Sequence, residues 1–357
     1  MSATKKKSSA GRKSAPSHRR KRIWARYTDE KLLELRFRDL GLRLERTPLQ
    51  RRVKRLHEEL EDRGLRFRPH AWLSTDWFSP DGVPGIAVPF YLAHPRLMKL
   101  ETRQMLELEG GSESAFMRIM RHEAGHAIDS AYRLHFKKSW REIFGRYSQP
   151  YPRYYRPKPN SRNFVVHLEA WYAQAHPAED FAETFAVWLK PRSDWRRRYR
   201  DWPRALRKLR YVDELMQEIA DQTPRVAVRE FVEPLTRLSQ TLGDHYRKKR
   251  ALYKVAWSEI YDRDLRRLFS DDRRYADRPT AASFLRGVRS EIRTTVAEWT
   301  GTHTYTIDQV LQEMIDRSRA LKLRLAVSPS RARIQATILL TVHTMNALHA
   351  RRHEIPL

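Results

Sequence analysis

Two histidines stand four residues apart in the segment His122-Glu123-Ala124-Gly125-His126, and a glutamate directly follows the first of them. On a helix, residues four positions apart lie on the same face about one turn apart, so both imidazoles can reach one tetrahedral zinc ion. Glu123 would then stand beside a metal-activated water and could accept its proton as the water attacks a carbonyl group. The spacing predicts peptide-bond hydrolysis with His122 and His126 as zinc ligands and Glu123 as general base.

A catalytic zinc ion normally takes three protein ligands and leaves the fourth position to water, so a third ligand is required. The metzincin pattern is excluded, because it needs Gly and His where this chain has Asp129 and Tyr132. Glu179 and Glu183 would share one helix face, so that one could bind the metal while the other orients a ligand imidazole. An acidic first turn that only satisfies the helix dipole is the alternative. The candidates that remain open on these grounds are His167, His176, Glu179, Asp180 and Glu183.

Both parts of this constellation lie in segments that are predicted to be helical. Gly110-Gly111 interrupts the chain before Ser112 or Ser114, and either serine can cap the helix that carries the two histidines. Pro177 suits the first position of a second helix, which places Glu179 near the positive end of the helix dipole. We therefore expect two helices to supply the metal ligands.

Two further segments are expected to frame the site. Residues 70–92 are rich in aromatic residues around the turn signal Ser79-Pro80-Asp81-Gly82, which predicts a short aromatic β-sheet. The strand at residues 86–90 is either a substrate-binding edge strand, to which an extended peptide adds, or an ordinary core strand. Residues 149–163 combine four prolines with tyrosines and predict an extended loop that lines or covers a cleft.

Composition limits the other functions. The chain contains no cysteine, which excludes disulfides, thiolate nucleophiles and cysteine zinc sites, so a metal must be bound by His, Asp or Glu. The formal net charge of +28 predicts attraction to nucleic acid or acidic proteins, or else a solvated basic surface. No apolar run approaches the ~20 residues of a membrane span and no secretory signal is visible, which predicts a soluble, cytoplasmic protein without a membrane partner.

Three regions are predicted along the chain. Residues 1–27 have the composition of a disordered basic tail. Residues 28–220 are expected to form a mostly helical α+β domain of the zincin type with a small β-sheet. Residues 221–357 show helical periodicity without a chemical motif, which predicts an all-helical C-terminal region.

Two phrases of the sequence resemble a known family. HEAGHAIDSAY (His122–Tyr132) and HPAEDFAETFAVWL (His176–Leu189) are similar to the bacterial zinc-binding metallopeptidases, and more distantly to the catalytic domain of anthrax lethal factor and to Mlc titration factor A. The resemblance spans roughly residues 30–215. It implies a gluzincin, in which Glu179 is the third zinc ligand beside the two histidines and Glu183 is a supporting carboxylate.

The resemblance also implies roles for two further residues. In the lethal-factor-like enzymes a tyrosine seven residues before the ligand glutamate stabilises the oxyanion, and Tyr172 stands seven residues before Glu179. Packing is the alternative role for Tyr172. Asp129 matches the family phrase HEAGHAID, and it could brace the metal site or pair with Arg133.

Two functions from different classes follow. The first is a zinc-dependent peptidase that acts on a protein or peptide. The alternative is a nucleic-acid-associated basic protein whose zinc site is structural or inactive and whose tail and surface bind nucleic acid. A protease that acts on DNA-bound proteins would combine the two.

Overall fold

The computed structural model describes residues 22–152, 154–155, 157–158, 161–169, 171–252, 261–350 and 355–356. Helices dominate these residues and the strands are short, which confirms the predicted mostly helical α+β class. No helix in this part of the chain is long and apolar enough to cross a bilayer.

The described chain begins with a short 3-10 helix, Ile23–Arg26, in which Trp24 is buried and donates from its indole N–H to the carbonyl of Leu40 at 3.0 Å. Residues 1–21 of the predicted basic tail lie outside the described residues. Helices α1 (Asp29–Leu33) and α2 (Leu49–Glu61) follow. The start of the ordered core therefore lies within the segment that composition assigned to the tail.

The predicted aromatic sheet consists of two parallel strands, β1 (His70–Ser74) and β2 (Gly85–Pro89). All five residues of β2 are buried. On the side of β2 away from β1, the N–H of Ala87 donates to the carbonyl of Phe78 at 2.8 Å. Because that side is already paired at Ala87 and the strand is buried, the structure supports the core-strand interpretation rather than the substrate-binding edge.

The helices that carry the predicted site follow the sheet. They are α3 (Pro95–Met105), α4 (Glu113–Tyr132), α5 (Lys138–Phe144) and α6 (Pro177–Leu189), with the short strand β3 (Tyr154–Tyr155) between α5 and α6. Ser112 caps α4 by accepting from the N–H of Ala115 at 3.1 Å, and Pro177 occupies the first turn of α6, as the sequence predicted. Helices α4 and α6 pack directly against each other along buried faces.

The hydrophobic core that contains the site includes residues beyond 220. Helices α7 (Trp195–Arg198) and α8 (Pro203–Ile219) are followed by an irregular segment and by α9 (Leu242–Leu252). The hydrophobic core that surrounds α4 and α6 runs from Trp24 to Tyr246, so it includes residues from α9. The domain boundary at residue 220 stays a prediction.

The C-terminal region forms a second hydrophobic core from Tyr261 to Leu340. Its helices are α10 (Tyr261–Leu268), α11 (Ala281–Thr300), α12 (Thr304–Ala320) and α13 (Pro329–Ala350), and its strands β4 (Phe269–Ser270) and β5 (Arg324–Leu325) form one short pair. The last strand, β6 (Ile355–Pro356), pairs with β3 of the first region. Glu107 joins the two regions by accepting from the N–H of Thr304 at the start of α12, at 2.6 Å.

A buried ion pair fixes α2 against α4. The guanidinium of Arg121 donates to both oxygens of Glu59 at 2.7 and 2.8 Å, and the two side chains are 8% and 4% exposed. A two-pronged contact of this kind sets the distance and the rotation between the helices. Arg121 directly precedes His122, so the pair also determines how α4 presents its histidines.

We expect Glu59→Gln to lower the free energy of unfolding by about 3–5 kcal/mol, because it leaves the guanidinium of Arg121 buried without a counter-charge. The neighbouring Glu58→Gln is the control, since Glu58 is exposed and pairs with Lys54 on the surface. Urea denaturation followed by circular dichroism measures both. Equal stability of the two variants would contradict a structural role for the buried pair.

Candidate metal centre

Helices α4 and α6 approach each other closely where Gly125 faces Ala182. A Cβ atom added to Gly125 would lie 2.7 Å from the Cα of Ala182, which is closer than real Cβ atoms come to another heavy atom. Gly125 lies between His122 and His126 on α4, and Ala182 lies between Glu179 and Glu183 on α6. Two small residues at the contact therefore let the imidazoles and the carboxylates meet.

Three donor atoms form a compact triangle at this contact. The Nε2 atoms of His122 and His126 are 3.1 Å apart, and the Oε2 atom of Glu179 lies 3.0 Å from the first and 3.2 Å from the second. Around a tetrahedral zinc ion, donor atoms at about 2.0–2.2 Å from the metal are about 3.3–3.6 Å apart, so these edges are only slightly short. Two imidazole nitrogens and one carboxylate oxygen are also a ligand set that zinc accepts.

Glu183 fixes the orientation of the first imidazole. Its Oε1 atom lies 2.8 Å from Nδ1 of His122, and its Oε2 atom accepts from the N–H of Leu168 at 2.8 Å. The side chain of Glu183 is fully buried. A carboxylate at Nδ1 holds a proton on that nitrogen, so Nε2, which faces the triangle, is the nitrogen that can give up its proton and bind a metal ion.

The charges of these buried groups depend on one another. Burial alone would lower the pKa of His122, but the hydrogen bonds to Glu179 and Glu183 outweigh it and raise that pKa well above the ordinary value. Burial alone would raise the pKa of Glu179, but the two imidazoles outweigh it and hold that pKa well below the ordinary value. The carboxylate of Glu179 is therefore ionised and able to bind a cation.

Glu123 lies beside the triangle with one carboxylate oxygen free. The residue is 7% exposed, and its Oε2 atom has no hydrogen-bond partner among the described residues. Burial raises the pKa of Glu123, and the charges of both imidazoles oppose that rise. A buried, unpartnered carboxylate oxygen is costly to keep, and such groups cluster at functional sites.

Tyr172 packs beside the first imidazole. It begins a short 3-10 helix, Tyr172–Gln174, and its ring centroid lies 5.6 Å from that of His122. Burial, followed by the charge of Glu179, raises the pKa of Tyr172 above its ordinary value. The phenol is therefore protonated at neutral pH and able to donate a hydrogen bond.

Asp129 does not pair with Arg133. Its Oδ2 atom is hydrogen-bonded to Nδ1 of His135, and the ring of His135 stacks on Tyr147 with centroids 3.9 Å apart. Burial raises the pKa of Asp129, and the hydrogen bond to His135 opposes that rise. The structure thus places Asp129 one helical turn beyond His126, where it anchors His135 and does not contact the triangle.

The other candidates for the third ligand have different partners. Nε2 of His167 lies 2.9 Å from the carbonyl of Arg118, and burial lowers the pKa of His167 to about 4. His176 caps α6 by accepting from the N–H of Ala178. Asp180 accepts from the ammonium of Lys208, as part of a buried pair. Among the described residues, the metal-binding grouping contains His122, His126 and Glu179.

Residues 111–200 match the model of the family described as "Putative zinc-binding metallo-peptidase". This match confirms the family resemblance for the segment that contains both α4 and α6. No curated protein and no solved structure matches the chain. The more distant likeness to the lethal factor domain and to Mlc titration factor A stays a prediction.

One member of the site was not singled out from the sequence. The hydroxyl of Tyr151 donates to Oε1 of Glu179 at 2.9 Å, and its ring stacks on His176 with centroids 3.9 Å apart. Tyr151 lies in the proline- and tyrosine-rich loop at residues 149–163, hereafter the Pro/Tyr loop. The composition of that loop indicated the region of the site but not this residue. Its hydrogen bond occupies one oxygen of Glu179 and leaves the other for the triangle.

We expect Gly125→Ala to lower the free energy of unfolding by about 1–3 kcal/mol and to weaken zinc binding, because the added methyl group forces α4 and α6 apart. Gly287→Ala in α11 is the matched control, since a Cβ atom there meets nothing within 4 Å. That variant should gain about 0.5–1 kcal/mol from helix propensity. Thermal unfolding of both variants measures the expected loss and gain of stability, and zinc titration measures their affinities for the metal. If Gly125→Ala bound zinc like the unsubstituted protein, the close helix contact would not control the site.

Proposed function

We propose that this protein is a zinc-dependent peptidase of the gluzincin type, in which His122, His126 and Glu179 bind the metal and Glu123 is the general base. The observation that carries the proposal is the triangle of donor atoms, 3.0–3.2 Å on each edge, with the unpartnered carboxylate oxygen of Glu123 buried beside it. The family match over the same segment supports it.

A bound zinc ion would supply Lewis acidity, which polarises the scissile carbonyl group and makes the attacking water more acidic. Glu123 accepts the proton of that water as the water attacks, and later delivers the proton to the leaving amine nitrogen. A glutamate whose pKa is raised by burial is better suited to both transfers than a fully solvated one.

Tyr172 is proposed to stabilise the developing oxyanion by donating its phenolic hydrogen. Its place beside His122 and its protonated state support that role. Tyr151 is proposed to orient Glu179 through the hydrogen bond to its second oxygen.

Two carboxylates are proposed to support the centre without binding the metal. Glu183 fixes the tautomer and the rotation of His122, and the N–H of Leu168 in turn fixes Glu183. Asp129 acts at a greater distance, since it anchors His135 at the end of the helix that carries the ligands.

Protein or peptide is the substrate class that fits this chemistry. Binding of nucleic acid through the basic tail and surface stays a prediction, and residues 1–21 of that tail lie outside the described residues. Salt-sensitive binding of DNA or RNA by a protein that hydrolyses no peptide would favour the alternative function.

Glu123→Gln should bind zinc normally but hydrolyse peptide bonds about 10²–10⁴-fold more slowly, because the amide cannot accept the proton of the attacking water. Zinc content by mass spectrometry and cleavage of fluorescein-labelled casein measure the two properties. Glu142→Gln is the control, since Glu142 is an exposed residue of α5 that pairs with Lys138. Undiminished cleavage by Glu123→Gln would refute its role as base.

Glu183→Gln should weaken zinc binding about 10–100-fold, because the amide cannot hold the proton on Nδ1 of His122 as a carboxylate does. Glu179→Ala removes a ligand and should weaken binding further. Glu169→Gln is the control, since Glu169 is exposed and pairs with Arg118. Competition with a zinc-binding dye gives the three dissociation constants. A greater loss of zinc from Glu183→Gln than from Glu179→Ala would exchange the roles proposed for the two glutamates.

A further inference from the structure

A cavity of about 1160 Å³ opens at the end of α4, next to the candidate metal centre. Ser130 lines it and lies four residues after His126, so the cavity begins about 6 Å along the helix face that carries the imidazoles. Tyr151 also lines it and donates to Glu179. The cavity therefore begins about one helical turn from His126, a distance that about two residues of an extended peptide would span.

Three arginines line the cavity. Arg133, Arg141 and Arg146 form no ion pair with a carboxylate of the described residues, and all three are exposed. Asp81 is the only carboxylate among the described residues that line the cavity, and it accepts a hydrogen bond from the hydroxyl of Tyr147. The cavity therefore presents an excess of positive charge to a ligand.

The backbone beneath these arginines is fixed. Arg133 ends α4 in the left-handed conformation with φ of 53°, and its N–H donates to the carbonyl of Asp129. The carbonyl of Arg141 accepts from the N–H of Gly145 at 3.0 Å. His135, which also lines the cavity, is hydrogen-bonded to Asp129 and stacked on Tyr147, and so holds the cavity wall near Arg133 and Arg141. Such a scaffold fixes the backbone positions from which the side chains of Arg133 and Arg141 extend.

Position, rather than the number of arginines, indicates the ligand. The chain has 71 Lys and Arg residues but 43 Asp and Glu residues, so unpaired cations are common on its surface. Here, however, three of them line one concave site that adjoins a proposed peptidase centre. The anion that a peptide substrate brings to such a place is a carboxylate, which arginine binds through two parallel hydrogen bonds.

We propose that this arginine cavity, defined by Arg133, Arg141 and Arg146, binds a carboxylate of the peptide substrate and makes the enzyme selective for peptides that place a carboxylate there. The carboxylate belongs either to an Asp or Glu side chain or to the C-terminus of the peptide. Selective cleavage rests on the peptidase function proposed above, whereas binding of the carboxylate does not require hydrolysis.

Binding is tested on zinc-loaded Glu123→Gln protein by fluorescence anisotropy, with three labelled peptides of equal length. One contains Glu and has an amidated C-terminus, one contains Gln instead and is amidated, and one contains Gln and has a free C-terminal carboxylate. A peptide whose carboxylate reaches the cavity should bind about 3–10-fold more tightly than the amidated Gln peptide. The peptide that shows this gain identifies the source of the carboxylate.

Substitutions locate the preference. Adding Arg141→Gln or Arg146→Gln should reduce the gain from the carboxylate towards onefold, and Arg141→Glu should reverse it. Arg286→Gln is the matched control, since Arg286 is an exposed residue of α11 outside the cavity. A preference that persists in the cavity variants, or that falls equally in Arg286→Gln, would come from the net charge of the protein and would overturn the proposal. Tighter, salt-sensitive binding of single-stranded DNA at the same arginines would also overturn it.

Kinetics on the protein with Glu123 intact separate the two proposals. The cavity variants should raise KM for the peptide whose carboxylate gives the gain in binding, whereas Arg286→Gln should leave KM and kcat unchanged for all three peptides. Hydrolysis without a charge preference would overturn the arginine cavity and leave the peptidase. A charge preference in binding, without hydrolysis of any peptide or of casein, would overturn the peptidase and leave the cavity.

Discussion

The contact between Gly125 and Ala182 is the constraint on which the candidate metal centre depends. The ligand triangle needs α4 and α6 closer together than larger side chains at this point would allow. Because the glycine lies between the two imidazoles, and the alanine between the two glutamates, the contact brings all four side chains into register. Glycine in a helix interior costs roughly 1 kcal/mol relative to alanine, so close packing must offset that cost here.

Many charged groups are buried around the metal centre, and each needs a partner of opposite charge. Asp180 accepts from Lys208 at 2.6 Å, and burial raises the pKa of Asp180 to about 7 despite that ammonium. The N-terminus of α6 adds a favourable field for the acidic residues of its first turn. Arg121 and Glu59 form a similar buried pair on the other side of α4. A site built in this way is rigid, because displacing any one member leaves another charge without a partner.

The metal centre and the arginine cavity use one helix for two purposes. The middle of the buried face of α4 presents the imidazoles, and its end presents Ser130 and Arg133 to the cavity. The Pro/Tyr loop connects the two places, since Tyr151 contacts Glu179 and also forms part of the cavity wall. Helix α4 would therefore hold the metal centre and the arginine cavity at a fixed distance from each other.

The sequence by itself determined the features that depend on residues close together in the chain. Helix periodicity, a capping serine at Ser112 or Ser114 and the proline at the start of α6 predicted both helices, and the spacing of His122 and His126 predicted their shared face. The family resemblance indicated Glu179, which the structure brings to those histidines. Only the tertiary structure showed which distant segments meet. It brings Tyr151 to Glu179, pairs Asp129 with His135 rather than Arg133, and places three arginines around one cavity. These contacts arise from the packing of loops and helix ends, which have no periodic signal, so a single sequence does not specify them.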